Sequence, residues 1–391
     1  MSEIIKVPEY MYAWVIREER FGEPMKSMKK EKVKIPDIGD DEVLVKNIAA
    51  GVNYNGIWAG LGKPKNVVKE QRRYGNNVDF TIPGSESSGI VCKVGKNVTN
   101  VKPGDEVFCV GTQFENESDE DPRTRKSFRV WGYENNWGAF AEYSKVQGRQ
   151  CFKKPKFISW EEAACTIATG TTVYSMLTHW KENEIRKGDV VLIWGGAGGI
   201  GSSAIILTKL LGGIPIAVVS SEEKEKYCME IGAAGCINRN NYDHWGFTDE
   251  EFYNDPVKNK KWTKSVLKMR REIWNIAGRG KNPRIVIEHP GKDTFPTSLF
   301  LCDSKGMVVT CGATSGFAGS IDLRYLWLGL KRIQGSHAAC DYEVELYLNL
   351  LKKADKSIPI EKVFKFDEVN LAHQMMYENK VGNGKLVVKI S

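Results

Sequence analysis

At 391 residues the chain is too long for one small core and points to two domains, and its 41% hydrophobic and 27% charged residues are ordinary for a soluble fold. A net charge of +7, from 56 Lys and Arg against 49 Asp and Glu, comes without long basic runs, which argues against a nucleic-acid partner and fits an anionic small ligand. No apolar run approaches the ~20 residues of a membrane span, the first residues lack a signal-peptide core, and the nine cysteines form no C-x-x-C pair. The expectation is a cytoplasmic protein with buried free thiols, no membrane contact and no metal lobe.

In chain order, residues 12–16, 31–36 and 42–48 alternate as strands of an antiparallel sheet do, and Pro83-Gly84 and Pro103-Gly104 mark turns between further strands. The stretch 111–130 is acidic and then basic, with little to bury, and reads as an exposed inserted loop. Between Val130 and Tyr143 polar residues sit among many rings, the composition of a lined pocket. At Ser159 the pattern turns helical, with Glu162 completing a capping box. Apolar runs at 189–194, 214–219, 235–237, 284–287 and 306–311 then alternate with helical segments, the mark of a doubly wound parallel sheet. The charged segment 247–275 adds helix on the outside, and 385–390 returns to the first domain as a strand. The expected architecture is α/β, with a β-rich domain over 1–158, completed by 341–391, and a Rossmann dinucleotide-binding domain over 159–340.

The run Val191-Leu192-Ile193-Trp194-Gly195-Gly196-Ala197-Gly198-Gly199-Ile200-Gly201 passes from a buried strand into glycines and then into an apolar helix. Gly196, Gly198 and Gly201 fit G-x-G-x-x-G, in which one glycine makes the turn, one lets the backbone approach a pyrophosphate, and one lets helix pack on strand. The helix start then offers free N–H groups and a positive dipole end to the phosphates. The second strand ends in Ser220-Ser221-Glu222-Glu223-Lys224, and Arg239 follows the third. Hydroxyls and cations suit a ribose 2′-phosphate, whereas a carboxylate at 220 would repel it, so NADPH is expected, with Glu222 and Glu223 as solvent-facing residues of a first helical turn.

The β-rich start, the glycine turn and the C-terminal return resemble the medium-chain dehydrogenase/reductase superfamily. Zinc-dependent members carry a metal-binding His in a Gly-His-Glu box and a four-Cys lobe. Here the box is Gly84-Ser85-Glu86 and no four-Cys cluster exists, so the chain resembles the zinc-free branch. Within it, Val52-Asn53-Tyr54-Asn55, Trp131-Gly132-Tyr133-Glu134-Asn135-Asn136, Glu288-His289-Pro290-Gly291, and the stretches 324–327 and 331–337 are similar to the crotonyl-CoA carboxylase/reductase and related enoyl-CoA reductase family.

That resemblance implies a GroES-like catalytic domain beside the Rossmann domain, and hydride transfer from NADPH to the β-carbon of a short 2-enoyl-CoA thioester. The enolate then takes a proton or, in carboxylating members, attacks CO2. It assigns the CO2 site to Asn55, Tyr133, Glu134 and His337. It also places Thr171 beside the nicotinamide and adds Gly199, Ile200, Cys311, Gly312 and Ala313 to the cofactor contacts, in a homo-oligomer, tetramer or dimer. Tyr133 departs from the Phe of the carboxylases, and its hydroxyl can hold water or donate a proton, so protonation competes with carboxylation. Without the resemblance, His337 reads as a core histidine, Asn53 and Asn55 as turn-bridging residues, and Thr171 as an ordinary helix hydroxyl. A quinone or enone reductase of the same superfamily and a non-catalytic NADPH-binding structural protein stand as alternatives.

Overall fold

The computed structural model describes residues 6–115, 121–246, 248–354 and 357–391, and the chain divides into two compact units. One comprises Met1–Ala168, Cys340–Val344 and Ser357–Ser391, the other Thr169–Ala339 and Glu345–Lys356. The division runs through the helices Trp160–Thr178 and Asp341–Ala354, whereas the sequence pattern put all of 159–168 in the second domain and all of 341–391 in the first. Packing explains the difference. Ala164 and Cys165 bury against Ala49 and Val387, while Tyr347 lies against Gly170, which has no side chain to exclude it. The capping box forms as expected, Ser159 N–H donating to Glu162 and Glu162 N–H to Ser159 Oγ.

The first unit is built on a seven-stranded, mainly antiparallel sheet. Its central strand, Glu42–Gly51, pairs with Ser87–Val94, with Tyr143–Gln147 and with the returning strand Lys385–Lys389, so the C-terminal strand does rejoin the first unit. Val43, Val45, Val91, Val107, Val146, Leu386 and Val388 fill the core on its inner face, as period-two apolar residues should. The stretch 111–130 differs from an exposed loop. Residues 116–120 lie outside the described residues, but Thr112–Gln113 pairs with Arg129–Val130 as a short hairpin whose Phe114 and Val130 are buried. Its charges do not imply exposure, because Arg123 and Arg129 are buried against Asp121 and Glu115.

The second unit is a six-stranded parallel sheet in the order Gly235–Asn238, Ile214–Val219, Val190–Trp194, Pro283–Glu288, Met307–Thr310, Arg332–Gly335. The chain winds outward from Val190–Trp194 in one direction and then from Pro283–Glu288 in the other, so the point of reversal lies between these two central strands. The sixth strand, Arg332–Gly335, escapes an apolar-run search because as an edge it buries little. Helices Glu250–Asn254 and Pro256–Ala277 occupy the charged segment, Phe247 lying outside the described residues. In the longer helix Trp262, Val266, Met269 and Ile273 recur at helical spacing and bury one face, leaving the lysines to solvent. Among the described residues no helix is long and apolar enough to cross a membrane.

A buried ion pair joins the last strand to the rest of the first unit. Lys385 Nζ lies 2.8 Å from Glu86 Oε1 with both side chains almost wholly withdrawn from water, and Asn53 bonds both. Removing one partner strands the other charge, so Lys385→Met should cost about 3–5 kcal/mol, read as a lowered urea midpoint. A midpoint within error of wild type would refute it.

Candidate functional site

The glycine turn has the geometry that a pyrophosphate needs. Strand Val190–Trp194 ends at Gly195, whose φ of +57° only glycine adopts without strain, and the helix Gly199–Leu210 begins after Gly198. A side chain on Gly201 would meet the Gly195 carbonyl at 2.2 Å, and one on Gly196 would meet Ala217 at 2.6 Å, so both are required for packing. At Gly198 an added Cβ would find only the Gly195 carbonyl, at 3.5 Å, so this position faces open space. No side chain caps the helix, and the first-turn amides of Gly199, Ile200 and Gly201 remain for a ligand.

At the end of the second strand the donors divide. Ser221 is the N-cap of helix Glu222–Ile231, its hydroxyl accepting the Lys224 N–H at 3.3 Å, so it is already committed as a cap. Glu222 and Glu223 are exposed in the first turn, as expected. Ser220 and Arg239 come together, because Val219 pairs with Asn238 and the Asn240 amide donates to the Ser220 carbonyl. The side chains of Ser220, Lys224 and Arg239 have no ion-pair or hydrogen-bond partner among the described residues.

The Glu288-His289-Pro290-Gly291 motif, to which sequence alone assigned no role, braces the turn from beneath. Glu288 ends the fourth strand, fully buried, and accepts from Gly291 N–H at 3.0 Å, Thr294 Oγ1 at 2.7 Å and the Ser298 hydroxyl. Ser298 in turn accepts the Trp194 indole N–H at 2.7 Å. His289 Nε2 donates to the Trp194 carbonyl at 3.0 Å and touches the place where a Gly195 side chain would be. Cys311, Gly312 and Ala313 follow the fifth strand, with Cys311 N–H bonded to the Glu288 carbonyl and Ala313 packed on Gly291. Thr171 is buried in helix Trp160–Thr178.

In the first unit, the helix Tyr54–Leu61 carries Asn55, whose amide donates to Ser85 Oγ at 2.8 Å. Ser85, standing where a zinc-binding His would be, thus holds Asn55. Asn53 precedes the helix but does not cap it, its side chain being drawn to Glu86 and Lys385. Glu134 is enclosed, accepting the Val130 N–H at 3.0 Å on one oxygen and the Lys65 ammonium on the other. Tyr133 differs from expectation. Its hydroxyl donates to the Lys63 carbonyl at 3.1 Å, and burial followed by the nearby Glu134 charge raises its pKa above the usual phenol range. The turn is fixed further by a chain of amides, Asn76 to Asn135 to Gln113 to Gln150.

Asn55, Tyr133 and Glu134 belong to the first unit and His337 to the second, where it is exposed just after the edge strand rather than in a core. Arg324, Lys331 and Arg332, cations near that edge, already bond Asp322, the Leu299 carbonyl and Glu182. Lys65 was missed because Lys63-Pro64-Lys65 has no spacing that distinguishes it from a surface loop.

A GroES-like β domain and a parallel dinucleotide-binding sheet define a medium-chain dehydrogenase/reductase. Residues 39–156 match the family described as Alcohol dehydrogenase GroES-like domain, and residues 199–353 the family described as Zinc-binding dehydrogenase. The chain is 42% identical to the crotonyl-CoA carboxylase/reductase of Cereibacter sphaeroides, over 100% of this chain and 90% of that one. The crotonyl-CoA carboxylase/reductase AntE, solved in complex with NADP, superposes with a TM-score of 0.92 at 43% identity, covering 98% of this chain and 95% of AntE. The 2-octenoyl-CoA carboxylase reductase CinF, solved with NADP and 2-octenoyl-CoA, gives 0.89 at 32% identity over 98% and 88%. The chain belongs to the crotonyl-CoA carboxylase/reductase family.

Burial pushes Glu288 up from 4.5 to about 7 against its three hydrogen-bond donors. The folded chain therefore keeps this proton where the unfolded chain has lost it. The stabilisation is complete below the ordinary carboxyl range and lost as pH rises through about 7, amounting to roughly 3 kcal/mol. Glu288→Gln should abolish that dependence, so wild type should lose melting temperature relative to the variant between pH 5 and 8. A constant difference across the range would refute this.

Proposed function

We propose that this chain reduces a short 2-enoyl-CoA, of the crotonyl- or acrylyl-CoA type, with NADPH, and that the enolate so formed is carboxylated by CO2. The observation that carries this reading is the 42% identity to a crotonyl-CoA carboxylase/reductase along the whole chain, together with a superposition on an NADP complex. Bound NADPH supplies a hydride to the β-carbon of the thioester.

The chain's own residues bind and orient. The amides of Gly199, Ile200 and Gly201 receive the pyrophosphate over the open face of Gly198, with Gly196 and Gly201 holding the turn. Ser220, Lys224 and Arg239 receive the 2′-phosphate with donors that no described residue engages, and Ser221 contributes by fixing the helix that carries Lys224. Thr171, Cys311, Gly312 and Ala313 complete the nicotinamide side. The family resemblance assigns CO2 to Asn55 and Glu134 of the first unit, where Tyr133 adjoins Glu134, and to His337 of the second. Carboxylation requires that water be kept from the enolate, since protonation is its competitor. The buried, acceptor-only Glu134 and the engaged Tyr133 hydroxyl support that outcome.

We also propose a homo-oligomer, dimer or tetramer. The segment beside the edge strand exposes Trp327, Leu328, Leu330 and Ile333, an apolar face at the sheet edge that a second copy would cover.

The test is NADPH oxidation with crotonyl-CoA and acrylyl-CoA, with and without bicarbonate plus carbonic anhydrase, and product masses. A product heavier by one carboxyl group is expected only with bicarbonate. Turnover of free quinones without turnover of either thioester would replace the reading with a quinone reductase. For assembly, Leu330→Glu should lower the mass seen in sedimentation; a monomeric wild type would refute the oligomer.

A further inference from the structure

Two residues of one loop hold two consecutive residues of the site, and neither has a part in the reaction described above. The helix carrying Asn55 ends at Gly62, and the chain then runs along the Tyr133–Glu134 turn. The Lys63 carbonyl accepts the Tyr133 hydroxyl, and two residues on the Lys65 ammonium pairs with Glu134 Oε1. The other Glu134 oxygen accepts the Val130 N–H at 3.0 Å. Among the described residues no second cation pairs with Glu134. Its side chain is 9% exposed, whereas that of Lys65 is 48% exposed and reaches the carboxylate from solvent.

This arrangement leaves Glu134 with an N–H donor on each oxygen and no O–H of its own to offer. The hydrogen bond to Glu134 also raises the pKa of Lys65 against the effect of burial, so the ammonium stays charged. The enolate has two fates. Its α-carbon attacks the carbon of CO2, forming a C–C bond and leaving a carboxylate, or it takes a proton from an acid, forming a C–H bond and leaving the conjugate base.

We propose that Lys65 is a positioning residue that decides between these fates, tying Glu134 down as an acceptor so that CO2 and not a proton reaches the α-carbon. This rests on the carboxylating reading above. Without Lys65, the Oε1 of this nearly buried carboxyl loses its N–H donor, and an oxygen without a donor is the one able to carry an O–H toward the α-carbon.

The experiment compares wild type, Lys65→Met and Lys65→Arg. Each is given NADPH, crotonyl-CoA and bicarbonate with carbonic anhydrase in D2O, and products are separated by mass. Lys65→Met should raise the α-deuterated, non-carboxylated fraction severalfold while NADPH is still consumed. Lys65→Arg should restore the wild-type ratio, because a guanidinium supplies the same N–H donor to Glu134. An unchanged ratio in Lys65→Met, or a rise that Lys65→Arg does not reverse, overturns the inference while wild-type carboxylation stands. A wild type that yields only the protonated product overturns the carboxylating reading itself, and this inference with it.

Discussion

Neither Lys385 nor Glu86 has water to stabilise it, so each charge is tolerable in this fold only because the other lies 2.8 Å away. Much of the first unit follows from housing that pair. Gly51 is glycine because a Cβ there would come within 2.2 Å of the carboxylate. Asn53 is drawn into the pair and so cannot cap the helix that it precedes. Glu86 also accepts the Ala168 N–H, which anchors helix Trp160–Thr178 near its middle. The residue before Glu86 is Ser85, and its hydroxyl holds Asn55. The C-terminal strand therefore does more than close a sheet: its lysine fixes the frame on which a candidate site residue stands.

The second unit solves a similar problem with a neutralisable carboxyl in place of an ion pair. Among the described residues Glu288 has no cation partner, and its burial is met by three hydrogen bonds and a pKa near neutrality. Through Ser298 it reaches the Trp194 indole, and through its neighbour His289 the Trp194 carbonyl, so the residue just before the glycine turn is gripped by both its side chain and its backbone. These groups lie at the ends of the two central strands, where the winding of the sheet reverses and loops diverge to leave a crevice. A turn with a glycine at φ +57° keeps a defined shape because it is braced from below.

The inner parallel strands were legible because each is a short apolar run largely buried on both faces, and the glycine turn because its constraints are local. The edge strand Arg332–Gly335 was not, since an exposed edge carries no apolar signature. The 111–130 stretch misled because composition reports charge and not pairing: Arg123 and Arg129 are buried with carboxylates supplied by the same segment. At the site, residue types with a motif around them, Asn55 and Glu134, could be singled out. Lys65 could not, because its importance lies in a contact 69 positions away. Ser221 could be placed near the phosphate site, but its role as the cap of the helix that carries Lys224 shows only in the geometry.

Tyr133 shows why a residue type does not settle a proton's path. A phenol where relatives carry an apolar ring suggests an acid, yet here its proton is directed at the Lys63 carbonyl and burial makes it harder to release. Glu134 beside it has both oxygens occupied by N–H donors. On the proposed reading, the GroES-like wall thus presents no ready O–H to the α-carbon, and any proton must come from water. Carboxylation then depends less on strong binding of CO2, a small and weakly polar molecule, than on how well the wall keeps water and acidic O–H groups from the enolate. That makes the loop 63–65, which ties down both polar side chains at once, as important to the outcome as the residues it holds.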